Sequence, residues 1–133
     1  MKVLGVDWGS KKIGLALGDT RLKLAIPLKP LKNGEGVFSD LLNIIKQHNV
    51  DVVLVGLPLT PSGKEGQRAS EVRKFVEKLR TFLPEDVLVE LWDERYTTEE
   101  AYRLMVNVKE SKKREFKDSL SAYVILMEFF ESL

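Results

Sequence analysis

The apolar patterning of the chain predicts an α/β domain: a mixed five-stranded sheet in the order 3-2-1-4-5, with helices on both faces. Three observations predict it. The N-terminal third carries three extended runs in succession, the period turns helical after Gly34-Glu35-Gly36, and apolar strands then alternate with amphipathic helices.

Val3, Leu4 and Val6 with Gly5 read as a buried strand ending at Asp7-Trp8, and Gly9-Ser10-Lys11 supplies the turn. In the second run, Ile13 to Gly18, large residues alternate strictly with Gly or Ala. One face therefore packs a core while the other lets backbone or a ligand approach closely. Leu22–Leu31 is the third strand, and Pro27 and Pro30 argue for an edge position because proline cannot donate to a ladder. Val37, Leu41, Ile44 and Ile45 share a helical stripe that ends near Asn49, and Val52–Val55 is a fully apolar strand. Leu57–Gln67, with two prolines and two glycines, reads as a mobile loop. A second helix runs from Ala69 to Phe82 and is stopped by Pro84. Val87–Trp92 is the fifth strand. Thr97 and Glu100 form a capping box that opens a third helix through Val108. Lys109–Lys117 is a basic linker, and a last helix, about Glu115 to Glu131, is apolar around much of its circumference.

With 133 residues, 44% hydrophobic and 31% charged, residues 1–133 fit one soluble domain. The absence of cysteine excludes disulfides, thiolate metal sites and a cysteine nucleophile, and the single histidine, His48, excludes any zinc site that needs two imidazoles. What remains for difficult chemistry is carboxylates with magnesium or manganese. A net charge of +1 gives no global basic field, so a nucleic-acid partner would need a local basic patch. Met1–Ser10 does not resemble a signal peptide, and the longest apolar run, Val52–Leu59, is broken by Gly56 and Pro58. Cytoplasmic residence without a membrane partner is the expectation.

Asp7 ends the first strand, Asp93 and Glu94 end the last, and Asp118 lies in the final helix on a stripe with Ala122, Ile125 and Phe129. Each has an ordinary structural explanation by itself: an Asx turn for Asp7, a strand-end ion pair for Asp93-Glu94-Arg95, a helix start beside Arg114 and Lys117 for Asp118. Three at functional ends together favour a site. Basic residues flank it, with Lys11, Lys12, Lys64, Arg68 and Arg95 near the acidic positions and Lys112, Lys113 and Arg114 just before Asp118. Trp8 and Trp92 could stack a base, although core packing explains both more simply.

The blocks Gly5-Val6-Asp7-Trp8-Gly9-Ser10-Lys11-Lys12-Ile13-Gly14, Val55-Gly56-Leu57-Pro58 with Gly63-Lys64-Glu65-Gly66, Asp93-Glu94-Arg95-Tyr96-Thr97-Thr98 and Lys117-Asp118-Ser119-Leu120-Ser121-Ala122 resemble, in order, the signature blocks of the YqgF/RuvX family. Ser121 stands where many members have Ala. Members are described as nucleases of ribosomal RNA precursors and, earlier, as Holliday junction resolvases, with a ribonuclease H-like fold. The resemblance implies that Asp7, an acidic residue of the Asp93-Glu94 pair and Asp118 form the catalytic and metal-binding set for Mg2+ or Mn2+. Its implied substrate is structured nucleic acid, either the 5′ end of precursor 16S ribosomal RNA or branched DNA. Ribosomal particles are possible partners, and the chain would be a monomer or weak homodimer.

Two other functions stay open. The Asp7-Trp8-Gly9-Ser10 turn and hairpin also resemble the phosphate loop of actin-like ATPases and sugar kinases, which need a second domain that 133 residues do not accommodate. A non-catalytic RNA-binding factor of ribosome assembly would keep the same surface without turnover.

The end of the fourth strand, Gly56-Leu57-Pro58, offers no ligand where ribonuclease H-like nucleases usually place an acid. Two strand spacings, about 10 Å, then separate Asp7 from the fifth strand, whereas paired catalytic metals lie about 3.5–4 Å apart. Asp93 and Glu94 point to opposite faces. The longer Glu94 is the expected partner of Asp7, with Asp93 left to orient Arg95 or cap the next helix.

Overall fold

The computed structural model describes residues 1–94 and 117–133. Its elements are β1 (Lys2–Asp7), β2 (Lys12–Asp19), β3 (Leu24–Lys32), α1 (Val37–Gln47), β4 (Val52–Pro58), α2 (Gln67–Phe82), β5 (Leu88–Glu94), a 3₁₀ turn at Lys117–Ser119 and α3 (Leu120–Glu131). The sheet runs β3-β2-β1-β4-β5, with the first three strands antiparallel in sequence order and β1, β4 and β5 mutually parallel. This is the predicted order, and the proline-bearing β3 is an edge. The expected helix opening at Thr97 and the linker residues before Lys117 lie outside the described residues.

Two cores lie on opposite faces of the sheet. Leu4, Val6, Ile13, Leu15, Val53 and Val55 pack with Leu41 and Ile45 of α1 and Val72, Val76 and Leu79 of α2. Val3, Ala16, Val52 and Leu54 pack with Ala122, Ile125, Leu126 and Phe130 of α3. The register explains the small residues that the sequence places on one side of β2. Gly5 pairs with Ala16, Asp7 with Gly14 and Val3 with Gly18, so all of these face α3. A Cβ on Gly5 would lie 2.8 Å from the Ala122 carbonyl oxygen, and one on Gly14 would collide with the carbonyl of Asp118. The bare face therefore admits the backbone of α3 and its preceding turn.

Ser119 locks that approach. The β2–β3 register slips between Ile13 and Leu15, whose partners are Leu31 and Leu28, leaving Lys29 and Pro30 opposite Gly14 alone. The fully buried Ser119 hydroxyl enters this irregularity, accepting from the Leu15 amide at 3.0 Å and donating to the Leu28 carbonyl at 2.6 Å. Because the chain is pinned there, Asp118 sits in the 3₁₀ turn before α3 and not, as the helical stripe suggested, inside the helix.

Smaller boundary shifts have local causes. Asn49 adopts a left-handed φ of 52° after α1 ends at Gln47, and Lys23 does the same in the turn before β3. Leu57–Gln67, read as a loop, is strand as far as Pro58 and then a compact turn closed by a Leu59–Glu65 bridge and a Thr60 amide bond to the Lys64 carbonyl. No helix among the described residues is long and apolar enough to cross a membrane.

Removing the Ser119 hydroxyl strands two buried backbone groups, each costing about 1–3 kcal/mol. Ser119→Ala is expected to lower stability by about 2 kcal/mol or more in urea titration, whereas Ser62→Ala in the exposed turn is expected to change it by less than about 0.5 kcal/mol.

Candidate active site

Asp7 closes β1 on the α3 face, next to the bare Gly14. Glu94 closes β5 on the same face, since Trp92 pairs with Gly56 and Glu94 with Pro58. The strand between them is cleared by Gly56. A Cβ there would lie 2.6 Å from Glu94 Oε2 and 2.6 Å from Ile125 Cδ1. The Glu94 side chain thus folds back over β4, the strand between β5 and β1, where the charge of Asp7 acts on its carboxyl. Asp93 points the other way, exposed and within electrostatic range of Arg73.

Burial is the main electrostatic fact about the pair. Desolvation lifts Asp7 from 3.8 to about 6, helped by the nearby Asp118 and opposed by Arg68. Desolvation, and then the charge of Asp7, lifts Glu94 from 4.5 to about 8, again opposed by Arg68. Arg68 stands in the first turn of α2, where its guanidinium donates to the Trp8 carbonyl at 2.8 Å. It is held over the carboxyl pair by the main chain of the residue next to Asp7.

A cavity of about 520 Å³ opens at Asp7, and Glu94 lies outside its lining. Asp7, Asp118, Lys11, Lys12, Arg68 and Lys117 supply its charged lining, and Gly9, Ser10, Leu120 and Ser121 complete it. Asp118 is paired with Lys12, Nζ to Oδ2 3.5 Å, with both side chains about half exposed. The structure thus brings together Asp7, Glu94, Asp118, Lys11, Lys12 and Arg68. Lys64 belongs to the compact turn and is not part of the cavity lining. Arg95, Lys112, Lys113 and Arg114 lie outside the described residues.

Three supporting residues escaped the sequence reading. Gly56 makes room for Glu94, Ser119 fixes the turn that carries Asp118, and Asn33 donates from Nδ2 to the Gly9 carbonyl at 2.8 Å, bracing the turn after Asp7. The one signal was a glycine inside the otherwise apolar Val52–Leu57 run, which marks a close approach.

The family described as “RuvX: Holliday junction resolvase” matches residues 1–132. The chain belongs to the RuvX family. It is 37% identical over 132 residues to a “Putative pre-16S rRNA nuclease” of Sulfurihydrogenibium sp. (strain YO3AOP1), covering 99% of this chain and 91% of that one. It is 36% identical over 138 residues to a protein of the same name from Bacillus cereus (strain G9842), covering 99% of each. Among solved structures, it resembles the Fowlpox virus resolvase in complex with Holliday junction DNA, with a TM-score of 0.67, 13% identity and 99% and 98% of the two chains covered. It also resembles Thermus thermophilus RuvC in complex with a Holliday junction, with a TM-score of 0.63, 16% identity and 99% and 94% covered. Those likenesses establish the ribonuclease H-like fold. Membership of the RuvX family places the chain among enzymes that hydrolyse phosphodiester bonds.

The raised carboxyls make stability pH-dependent. Both bind a proton more tightly folded than unfolded, so their contribution is complete below about pH 4 and is lost as pH rises through about 6 for Asp7 and about 8 for Glu94. In chelator, Glu94→Gln is expected to melt several degrees above the parent at pH 8.5. The difference should shrink toward zero at pH 4.5, as read in paired thermal scans.

Proposed function

We propose that this RuvX protein is a nuclease dependent on a divalent cation and that Asp7, Glu94 and Asp118 are its acidic set. The proposed substrate is structured nucleic acid, foremost the 5′ end of precursor 16S ribosomal RNA. The observation that carries this reading is the Glu94 carboxyl lying over Gly56, within range of the Asp7 charge, in a site where desolvation disfavours both charges.

The donor set suits Mg2+ or Mn2+. It is all oxygen, and two of its carboxyls are raised chiefly by desolvation in a partly buried space, a cost that a bound cation would offset. Among the described residues no three ligating side chains converge on one point. Asp7 and Glu94 would therefore hold the ion first, and the exposed Asp118 would exchange Lys12 for it. The bound ion would supply Lewis acidity at the scissile phosphate and lower the pKa of the attacking water. The chain's own cations do the rest. Arg68, held rigidly by Trp8, places positive charge beside the reacting phosphate, while Lys11, Lys12 and Lys117 line the approach and neutralise its neighbours. Arg95, Lys112, Lys113 and Arg114 extend this basic surface in the sequence reading, and Lys64 stands apart in its turn. The names of the relatives support ribosomal RNA as the foremost substrate, and the neighbours' complexes support trying branched DNA.

The test is a cleavage assay on a precursor 16S fragment, a DNA four-way junction and single strands, each with Mg2+, Mn2+ or chelator. Asp7→Asn, Glu94→Gln and Asp118→Asn should each lower cleavage by at least about 100-fold, with melting temperature unchanged or raised. Gly56→Ala should act like Glu94→Gln, because the added methyl displaces the Glu94 carboxyl although no acidic residue is replaced. Full activity in Asp7→Asn would overturn the mechanism, and full activity in Glu94→Gln with loss in Asp93→Asn would move the role to Asp93.

Replacing Lys112, Lys113 and Arg114 with alanine should weaken binding to all sequences alike and flatten the dependence of log affinity on log salt by about 2–3. Filter binding across a salt series reads this slope.

A further inference from the structure

Asp7 is the last residue of β1 and Trp8 follows it; Asp7 lies on the α3 face, whereas Trp8 packs against the core under α1 and α2. Asp7 lines the charged cavity. Trp8 lines a separate groove of about 350 Å³ on the α1–α2 side, with Asn33, Phe38, Lys74, Phe75 and Lys78. We propose that this groove binds one unpaired nucleotide of the substrate strand, its base on the Trp8 indole and its phosphate at Lys74 and Lys78.

Four features support that occupant. The groove has the volume of a small-molecule site. Its floor is aromatic, because Phe38 stacks on Phe75 at 5.5 Å and on Phe82 at 5.0 Å. Its rim is cationic, with Lys74 and Lys78 one helical turn apart on α2, both exposed, against one lining acid, Glu71. Lys78 Nζ already rests 5.1 Å from the Phe38 centroid, so cation and ring share one place. An aromatic floor beside mobile cations is the combination that a base and its phosphate require.

Trp8 is also held ready. The Trp8 carbonyl accepts from Arg68 and the next carbonyl, of Gly9, accepts from Asn33, both at 2.8 Å. The indole therefore projects from a main chain fixed by these bonds on one side and by the β1 ladder on the other, and little freedom is lost when a base stacks on it. Because Arg68 belongs to the charged cavity and Asn33 to the groove, one strand can pass from Asp7 over this stretch of main chain into the groove. A base can lie on the indole only after leaving its own stack, which makes the favoured substrate single-stranded at that nucleotide. This inference deepens the nuclease reading and rests on it for the path of the strand.

The chain has two tryptophans, so in Asp7→Asn/Trp92→Phe protein the fluorescence comes from Trp8 alone and the strand is not cut. This protein is titrated with a short oligouridylate, a blunt RNA duplex and a polyglutamate peptide. Saturable quenching by oligouridylate, with none from duplex or peptide, is the expected result. Lys74→Ala/Lys78→Ala should weaken oligouridylate affinity several-fold and lower the salt slope by about 1.4. Trp8→Ala, followed by anisotropy of a labelled strand, should weaken it about tenfold. Quenching by polyglutamate alone would assign the groove to an acidic protein segment and overturn the proposal. Oligouridylate binding with no quenching, and with affinity unchanged in the lysine pair, would overturn it equally. Because binding is read without turnover, cleavage failure with intact quenching would sink only the nuclease reading, and cleavage without quenching would sink only the groove.

Discussion

Two carboxyl groups in one crevice work against each other and against their own burial. Water solvates separate carboxylates well, whereas a strand-end crevice closed by an apolar helix offers much less. Asp7 and Glu94 meet in such a crevice, and the features around them make sense as responses to that conflict. Arg68 is the local countercharge, fixed by the carbonyl of Trp8. The cost is retained because a site that disfavours unpaired negative charge favours a bound cation, which ties the electrostatics of the free protein to the proposed chemistry.

The geometry of that meeting depends on missing side chains. Gly56 opens a path across β4 for the Glu94 carboxyl, and Gly14 lets the main chain of Asp118 settle against β2. Each substitutes backbone proximity for side-chain length. Ser119 then converts proximity into rigidity by filling the irregular pairing between β2 and β3 with its hydroxyl. The site is thus assembled from three separated segments whose mutual distances are set by glycine, a bulge and one buried hydroxyl.

The alternation of a β-strand also divides the surface. At the end of β1, Asp7 faces the charged cavity and the next residue, Trp8, faces the aromatic groove, with Arg68 and Asn33 bracing the two peptide links that follow. A phosphodiester and a neighbouring base could therefore be read from opposite sides of one strand end. That arrangement lends itself to an extended, unpaired strand more readily than to a rigid duplex.

The sequence by itself determined the strands and helices, because period-2 and period-3.6 patterning survive in any linear reading; the sheet order followed from a meander succeeded by alternating helices and strands, as in the ribonuclease H-like fold, and the prolines of β3 exclude it from the interior. It also narrowed the acidic residues to Asp7, Asp93, Glu94 and Asp118, since strand alternation forces Asp93 and Glu94 apart. Side-chain length already pointed to Glu94 of that pair; only the tertiary structure decided that its path runs over Gly56, that Asp118 precedes α3 in a 3₁₀ turn, and that Lys12 pairs with it while Lys64 stands aside. These depend on contacts between segments far apart in the chain: Glu94 over Gly56, Ser119 between Leu15 and Leu28, Arg68 on Trp8. A one-dimensional pattern records which face a residue prefers, but it does not record how near two backbones come once glycine lets them touch.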